Sequence, residues 1–106
     1  MQAHEVLHHA RKTHQGFSIV KPFEIDRLWT IRDIPVASLK LPDDVEHDPY
    51  NRVIMLDYDH IDRIQPEEIC AIPIIVDSEG FVLDGNHRAT KARLLGLKTI
   101  TAFCPV

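Results

Sequence analysis

The residues best suited to chemistry lie together in Asp84-Gly85-Asn86-His87-Arg88. They fall where the apolar run Phe81-Val82-Leu83 gives way to helix formers, so the pattern predicts a strand-to-helix junction. A helix start carries unpaired N–H groups and a partial positive charge, and it receives an anion readily. Gly85 lets a ligand approach the backbone closely, and Asn86, His87 and Arg88 add donors that suit phosphate oxygens. Asp84 fits less simply, because a carboxylate beside phosphate is repulsive unless it holds a metal ion or takes a proton from a substrate hydroxyl. The same residues also admit a purely structural reading: Asp84 as an N-cap, Gly85 as a turn glycine, and His87 and Arg88 as surface residues. Local chemistry leaves both readings open.

Other candidate constellations are weaker. His4-Glu5-Val6-Leu7-His8 has the H-E-x-x-H spacing that, on a helix, sets two imidazoles on one face beside a carboxylate, as zinc hydrolases use it. Here it lies at the start of the chain, where little core supports it, and no third ligand follows at a recognisable spacing, so a polar His-rich helix is the expectation. His47 and His60 lie in acidic surroundings and read as solvated. Cys70 and Cys104 are too few for a disulfide framework and lack a metal-site spacing; they read as small buried apolar residues. Trp29 and Phe81 read as core, while Phe17 and Phe23 suit either the core or a pocket mouth. No P-loop, nucleophile elbow or dinucleotide fingerprint is present.

The elements that must hold the junction are clearest in the last third of the chain. Pro73-Ile-Ile-Val-Asp is a continuous apolar run, expected as a buried strand, and Asp77-Ser-Glu-Gly is a turn. Phe81-Val-Leu is a second strand, Asn86 to Leu95 a helix with Ala89, Ala92 and Leu95 on one face, Gly96 its stop, and Lys98 to Cys104 a third strand. Upstream, residues 1–16 read as a helical extension and Leu28 to Ile34 as a strand limited by Pro35. Leu39 to Pro49 reads as a loop, and Asp57 to Ile69 as helical turns interrupted at Pro66. The expectation is one small α/β domain, a mixed sheet flanked by helices.

At 106 residues the chain has room for one such domain. Twelve Lys and Arg against sixteen Asp and Glu give a formal charge of −4, which argues against life on a bare nucleic-acid backbone. No apolar run approaches the roughly 18 residues needed to cross a bilayer. The start also lacks a signal-peptide layout, so a soluble cytoplasmic domain with no membrane partner is expected. Charge is unevenly spread: Asp43 to Glu68 holds nine acidic residues against Arg52 and Arg63, whereas Asn86 to Lys98 holds four basic residues and no acid. The two stretches read either as a partner-binding basic patch with its acidic counterpart or as two solvated faces.

Taken together, Pro73-Ile-Ile-Val-Asp, Gly80-Phe-Val-Leu-Asp84-Gly-Asn-His-Arg and the helix ending Leu94-Leu95-Gly96 resemble the ParB/sulfiredoxin-like superfamily. That family has a P-I-x-V strand, a turn, a DG-x-HR junction, a helix ending in LG and a closing strand. Trp29-Thr-Ile-Arg-Asp-Ile-Pro-Val-Ala-Ser-Leu is more loosely similar to its opening strand. In the partition proteins of this family the motif binds CTP phosphates, but those chains add a helix-turn-helix domain for which this sequence has no length. Sulfiredoxins use ATP and a catalytic Cys before the His-Arg pair, where this chain has Asn86. Free-serine kinases of the fold carry Asp-Gly-His-His-Arg, the closest version.

The resemblance implies that Gly85, Asn86, His87 and Arg88 cradle a polyphosphate, with Asp84 orienting Mg²⁺ or a substrate hydroxyl. It places a general base in Pro42-Asp43-Asp44-Val45-Glu46, with Asp44 and Glu46 as candidates beside Asp43. The function it implies is binding of a nucleoside di- or triphosphate (ATP, ADP or CTP) with Mg²⁺, leading to phosphotransfer to a small-molecule hydroxyl or to hydrolysis. The alternative is a non-enzymatic module of plasmid or phage type that binds a protein or, less readily at this charge, a nucleic acid. A nuclease ranks below both, because no carboxylate cluster accompanies Asp84.

Overall fold

In the computed structural model, which describes residues 28–46 and 54–106, alternating and continuous apolar runs become four strands: β1 (Trp29–Pro35), β2 (Ile74–Val76), β3 (Val82–Asp84) and β4 (Thr99–Pro105). They form one mixed sheet in the order β1-β4-β2-β3. β4 pairs antiparallel with β1 over its full length, Trp29 opposite Pro105 and Pro35 opposite Thr99. It pairs in parallel with β2, and β2 pairs antiparallel with β3 through a register shift at Ile75 and Val76. Three helices accompany the sheet among the described residues: α1 (Tyr58–Arg63), α2 (Pro66–Ile69) and α3 (Asn86–Leu94). The expected order of strand, turn, strand, helix and strand is present, and helical turns interrupted at Pro66 are found as α1 and α2.

The turn between β2 and β3 is set by Asp77, whose Oδ1 accepts from the amides of Glu79 and Phe81 at 2.9 Å each. That buried carboxylate satisfies two amides in a turn, so its burial is compensated by hydrogen bonds. The turn is tied to the segment after β1 by Lys40 N–H donating to the Gly80 carbonyl at 2.8 Å. α3 packs on the sheet through Ala89 and Ala92, both fully buried beside Ile74, Val82, Ile100 and Ala102. Small side chains at these positions let the helix backbone come close to the strands. Each fully buried isoleucine in this cluster contributes about 1.5–3 kcal/mol. Trp29, Ile75, Leu83 and Phe103 are buried as well, outside that cluster.

Several expectations are corrected. Phe81 is only half-buried, because it precedes β3 at a bridge to Lys40 and carries the Lys40 ammonium 4.6 Å from its ring centroid. Cys70 is exposed: it follows the last residue of α2, where Ile69 takes the inward position. Leu95 lies beyond the last helical residue and is exposed, so the buried residues of α3 are Ala89, Thr90 and Ala92 without it. The described acids of the acidic stretch are exposed, as solvated residues are, and the two stretches touch at two points. Arg93 grips Asp44 through two hydrogen bonds of 2.9 and 2.8 Å, and Lys91 Nζ reaches the Asp62 carbonyl at 3.4 Å. The helical extension at residues 1–16, the His4-Glu5-His8 motif, Phe17, Phe23, His47 and the loop end toward Pro49 lie outside the described residues. No helix among the described residues is long and apolar enough to cross a membrane.

Candidate functional site

The start of α3 is built on Gly85, which occupies the N-cap position with φ 94° and ψ 26°, a left-handed conformation. A Cβ at this point would lie 2.4 Å from Ile74 Cγ2 and 3.1 Å from Arg88 Nη2, so glycine is required both for its backbone angles and for space. The N-cap is therefore not Asp84, and no side chain caps α3. Its first turn holds no acidic residue. The helix start thus keeps its positive character, the feature that favours an anion.

Asp84 and Arg88 lie beneath this start. The Asp84 side chain is 4% exposed and that of Arg88 13%, with Arg88 Nη2 3.9 Å from Asp84 Oδ2. Arg88 Nη1 donates to the Ile72 carbonyl, pinning α3 to the entry of β2. Nη2 is buried without a hydrogen-bond partner, as are Asn86 Oδ1 and Thr90 Oγ1. Burial pulls the Arg88 guanidinium below its usual value, while the negative charge of Asp84 opposes that. Arg88 is thus no surface residue.

Asn86 and His87 face other groups. Asn86 Nδ2 donates weakly to the Val82 carbonyl at 3.4 Å. His87 Nε2 accepts from the backbone N–H of Asp57 at 3.1 Å, and the His60 ring lies edge-on to it with centroids 5.1 Å apart. His60 is exposed as expected, but it belongs to this pair. Asp57 caps α1, its Oδ1 accepting from the amides of Asp59 and His60. Those bonds, first the one from His60, hold its carboxyl below the usual carboxylate range.

The candidate bases are placed differently. Asp44 is held by Arg93 and also accepts from Leu41 N–H at 2.8 Å. The Arg93 hydrogen bond keeps its carboxyl below the usual range, with burial opposing. Arg93 is in the last turn of α3, about 10 Å along the helix axis from Asn86. The structure therefore gathers Asp84, Gly85, Asn86, His87 and Arg88 at one end of α3 and ties Asp44 to the other. Glu46 is exposed, and Asp43 accepts from the Tyr58 hydroxyl at 3.0 Å, a bond that raises the Tyr58 value.

Among the described residues no three His, Cys, Asp or Glu side chains converge as a metal cage. Asp84, the carboxylate of this junction, faces Arg88. Sequence reasoning did not find the Asp57–His87–His60 cluster, the Arg93–Asp44 pair or an open cleft of about 240 Å³ lined by Arg32, Ser38, Asp77, Glu79 and Cys104. In that cleft Arg32 Nε donates to Cys104 Sγ at 3.2 Å. All three join residues far apart in the chain, so no local signal announces them. Comparison with protein-family models, characterised proteins and solved structures found no match to this chain.

Proposed function

We propose that this chain is a ParB/sulfiredoxin-like domain that binds the polyphosphate of a nucleoside di- or triphosphate at the N-terminus of α3. The observation that carries the reading is an uncapped helix start, free of acid in its first turn, on a left-handed glycine. The buried Arg88 Nη2, without a hydrogen-bond partner, supports it. That nitrogen is closed off from solvent, so the guanidinium would act on an anion at this end through its charge and not by contact. On this reading the first-turn amides and the side chains of Asn86 and His87 contact phosphate oxygens. Arg88, anchored on Ile72, supplies the positive field, and Asp84 holds the guanidinium in place. Mg²⁺ arrives with the nucleotide. Phosphotransfer to a hydroxyl, or hydrolysis, is the reaction such a site would support.

Calorimetric titration with ATP, ADP, CTP and GTP, each with and without Mg²⁺, tests this. Saturable binding that His87→Ala weakens is the expected result. No heat with any of the four would sink the nucleotide reading. A docking module for a macromolecule is the second reading, supported by Leu94, Leu95 and Leu97 at the far end of α3, exposed by 63%, 46% and 38%.

A further inference from the structure

We propose that His87 is a proton-operated latch, fastening the N-cap of α1 to the first turn of α3 when neutral and releasing it when protonated. The inference rests in part on reading the α3 N-terminus as an anion site, and it assigns that site its regulation. A backbone N–H can only donate, so the 3.1 Å contact from Asp57 requires a bare Nε2 and places the ring proton on Nδ1. Protonation turns Nε2 into a second donor and removes the bond. Asp57 is joined at both ends: its carboxylate holds the first amides of α1, and its own amide holds His87. Losing that hydrogen bond therefore unfastens the N-cap of α1 from the first turn of α3, while Lys91 still reaches the Asp62 carbonyl.

His60 strengthens the effect. Its ring lies 5.1 Å from that of His87 at 82°, and two imidazolium charges at that spacing repel. The other charged and titratable groups on the packed elements are Asp57, Tyr58, Asp59, Asp62 and Arg63 with α1, Glu67 and Glu68 on α2, Asp84 at the end of β3, and Arg88, Lys91 and Arg93 on α3. Asp84 is held against Arg88 and Asp57 by its capping bonds, which leaves the helix start as the place where a new cation at His87 meets an incoming anion. Proton uptake and anion binding are thereby coupled.

Nuclear magnetic resonance of the whole chain tests the latch without any ligand. At pH 8 the His87 ring should be the Nδ1–H tautomer. As the pH is lowered from 8 to 5.5, the His87 ring nitrogens and the Asp57 amide should shift together. His87→Gln supplies an acceptor that does not titrate, and the pH-dependent Asp57 shift should vanish. An Nε2–H tautomer at pH 8, or an Asp57 amide indifferent to pH, would overturn the latch. Sulfate, whose charge is constant over this range, is the probe for coupling. Its affinity should rise by up to about tenfold per pH unit on acidification in the wild type and not in His87→Gln. Equal sulfate affinity at pH 8 and 5.5 at the start of α3 would overturn the coupling and leave the anion site standing. A titrating latch with no sulfate bound at any pH would support the latch and refute the anion site.

Discussion

Replacing Gly85 by alanine measures how tightly the start of α3 is seated, provided Gly96→Ala is made beside it. Both glycines have positive φ, 94° and 72°, so both substitutions carry the left-handed penalty of about 1–2 kcal/mol. They differ in space. At position 85 the new Cβ would meet Ile74 Cγ2 at 2.4 Å and Ile74 Cβ at 2.9 Å, whereas at position 96 nothing lies within 4 Å. Ile74 is fully buried in the cluster under α3 and cannot swing aside. Overpacking of that kind adds about 1–3 kcal/mol. Gly96→Ala should therefore cost about 1–2 kcal/mol and Gly85→Ala about 2–5 kcal/mol. At roughly 4–8 °C per kcal/mol for a small domain, Gly85→Ala should melt about 8–40 °C below wild type. Urea unfolding followed by the fluorescence of Trp29, the single tryptophan and 1% exposed, reads the difference directly. A Gly85→Ala loss no larger than that of Gly96→Ala would refute the close seating of Gly85 on Ile74.

Arg88→Met should destabilise the fold by about 3–5 kcal/mol, because it removes the cation that faces the buried Asp84 carboxylate; adding Asp84→Asn should recover part of the loss in a double-mutant cycle, and strict additivity would show that the two are uncoupled. Asp44 has a folded value below its unfolded one, so its contribution is present above about pH 4 and lost as the pH falls through the folded value. Asp44 is 35% exposed and Arg93 38%, so this acid limb should amount to less than about 1 kcal/mol and should flatten in Arg93→Gln when stability is followed from pH 6 to 3. With Ellman's reagent, one thiol, the exposed Cys70, should react in the native state and Cys104 only on unfolding; two native thiols would contradict the burial of Cys104.

What was legible in the sequence follows from the range of the forces involved. Periodicity and turn chemistry are local, so the order from Ile74 to Pro105 and the stop at Gly96 could be read from neighbouring residues. The break at Pro66 was legible for the same reason, since proline suits a first helical turn and not the middle of one. The site was legible as a segment, Asp84 to Arg88, but not as a geometry. Which residue caps α3 depends on the left-handed angles of Gly85, and the burial of Arg88 depends on a carbonyl sixteen residues away at Ile72. The grouping of Asp44 with Arg93, and of His87 with Asp57, is set by how α1 and the loop after β1 fold back over α3. Contacts 30 to 49 residues apart leave no periodic trace in one sequence.

On the proposed function, phosphate oxygens sit at the first turn of α3. Amide shift mapping with ADP, run with and without Mg²⁺, tests it most directly. The largest changes should fall on the amides of Asn86, His87 and Arg88, with a secondary change at Asp57. Shifts centred instead on the cleft around Arg32 and Cys104, or no shift at all, would contradict it.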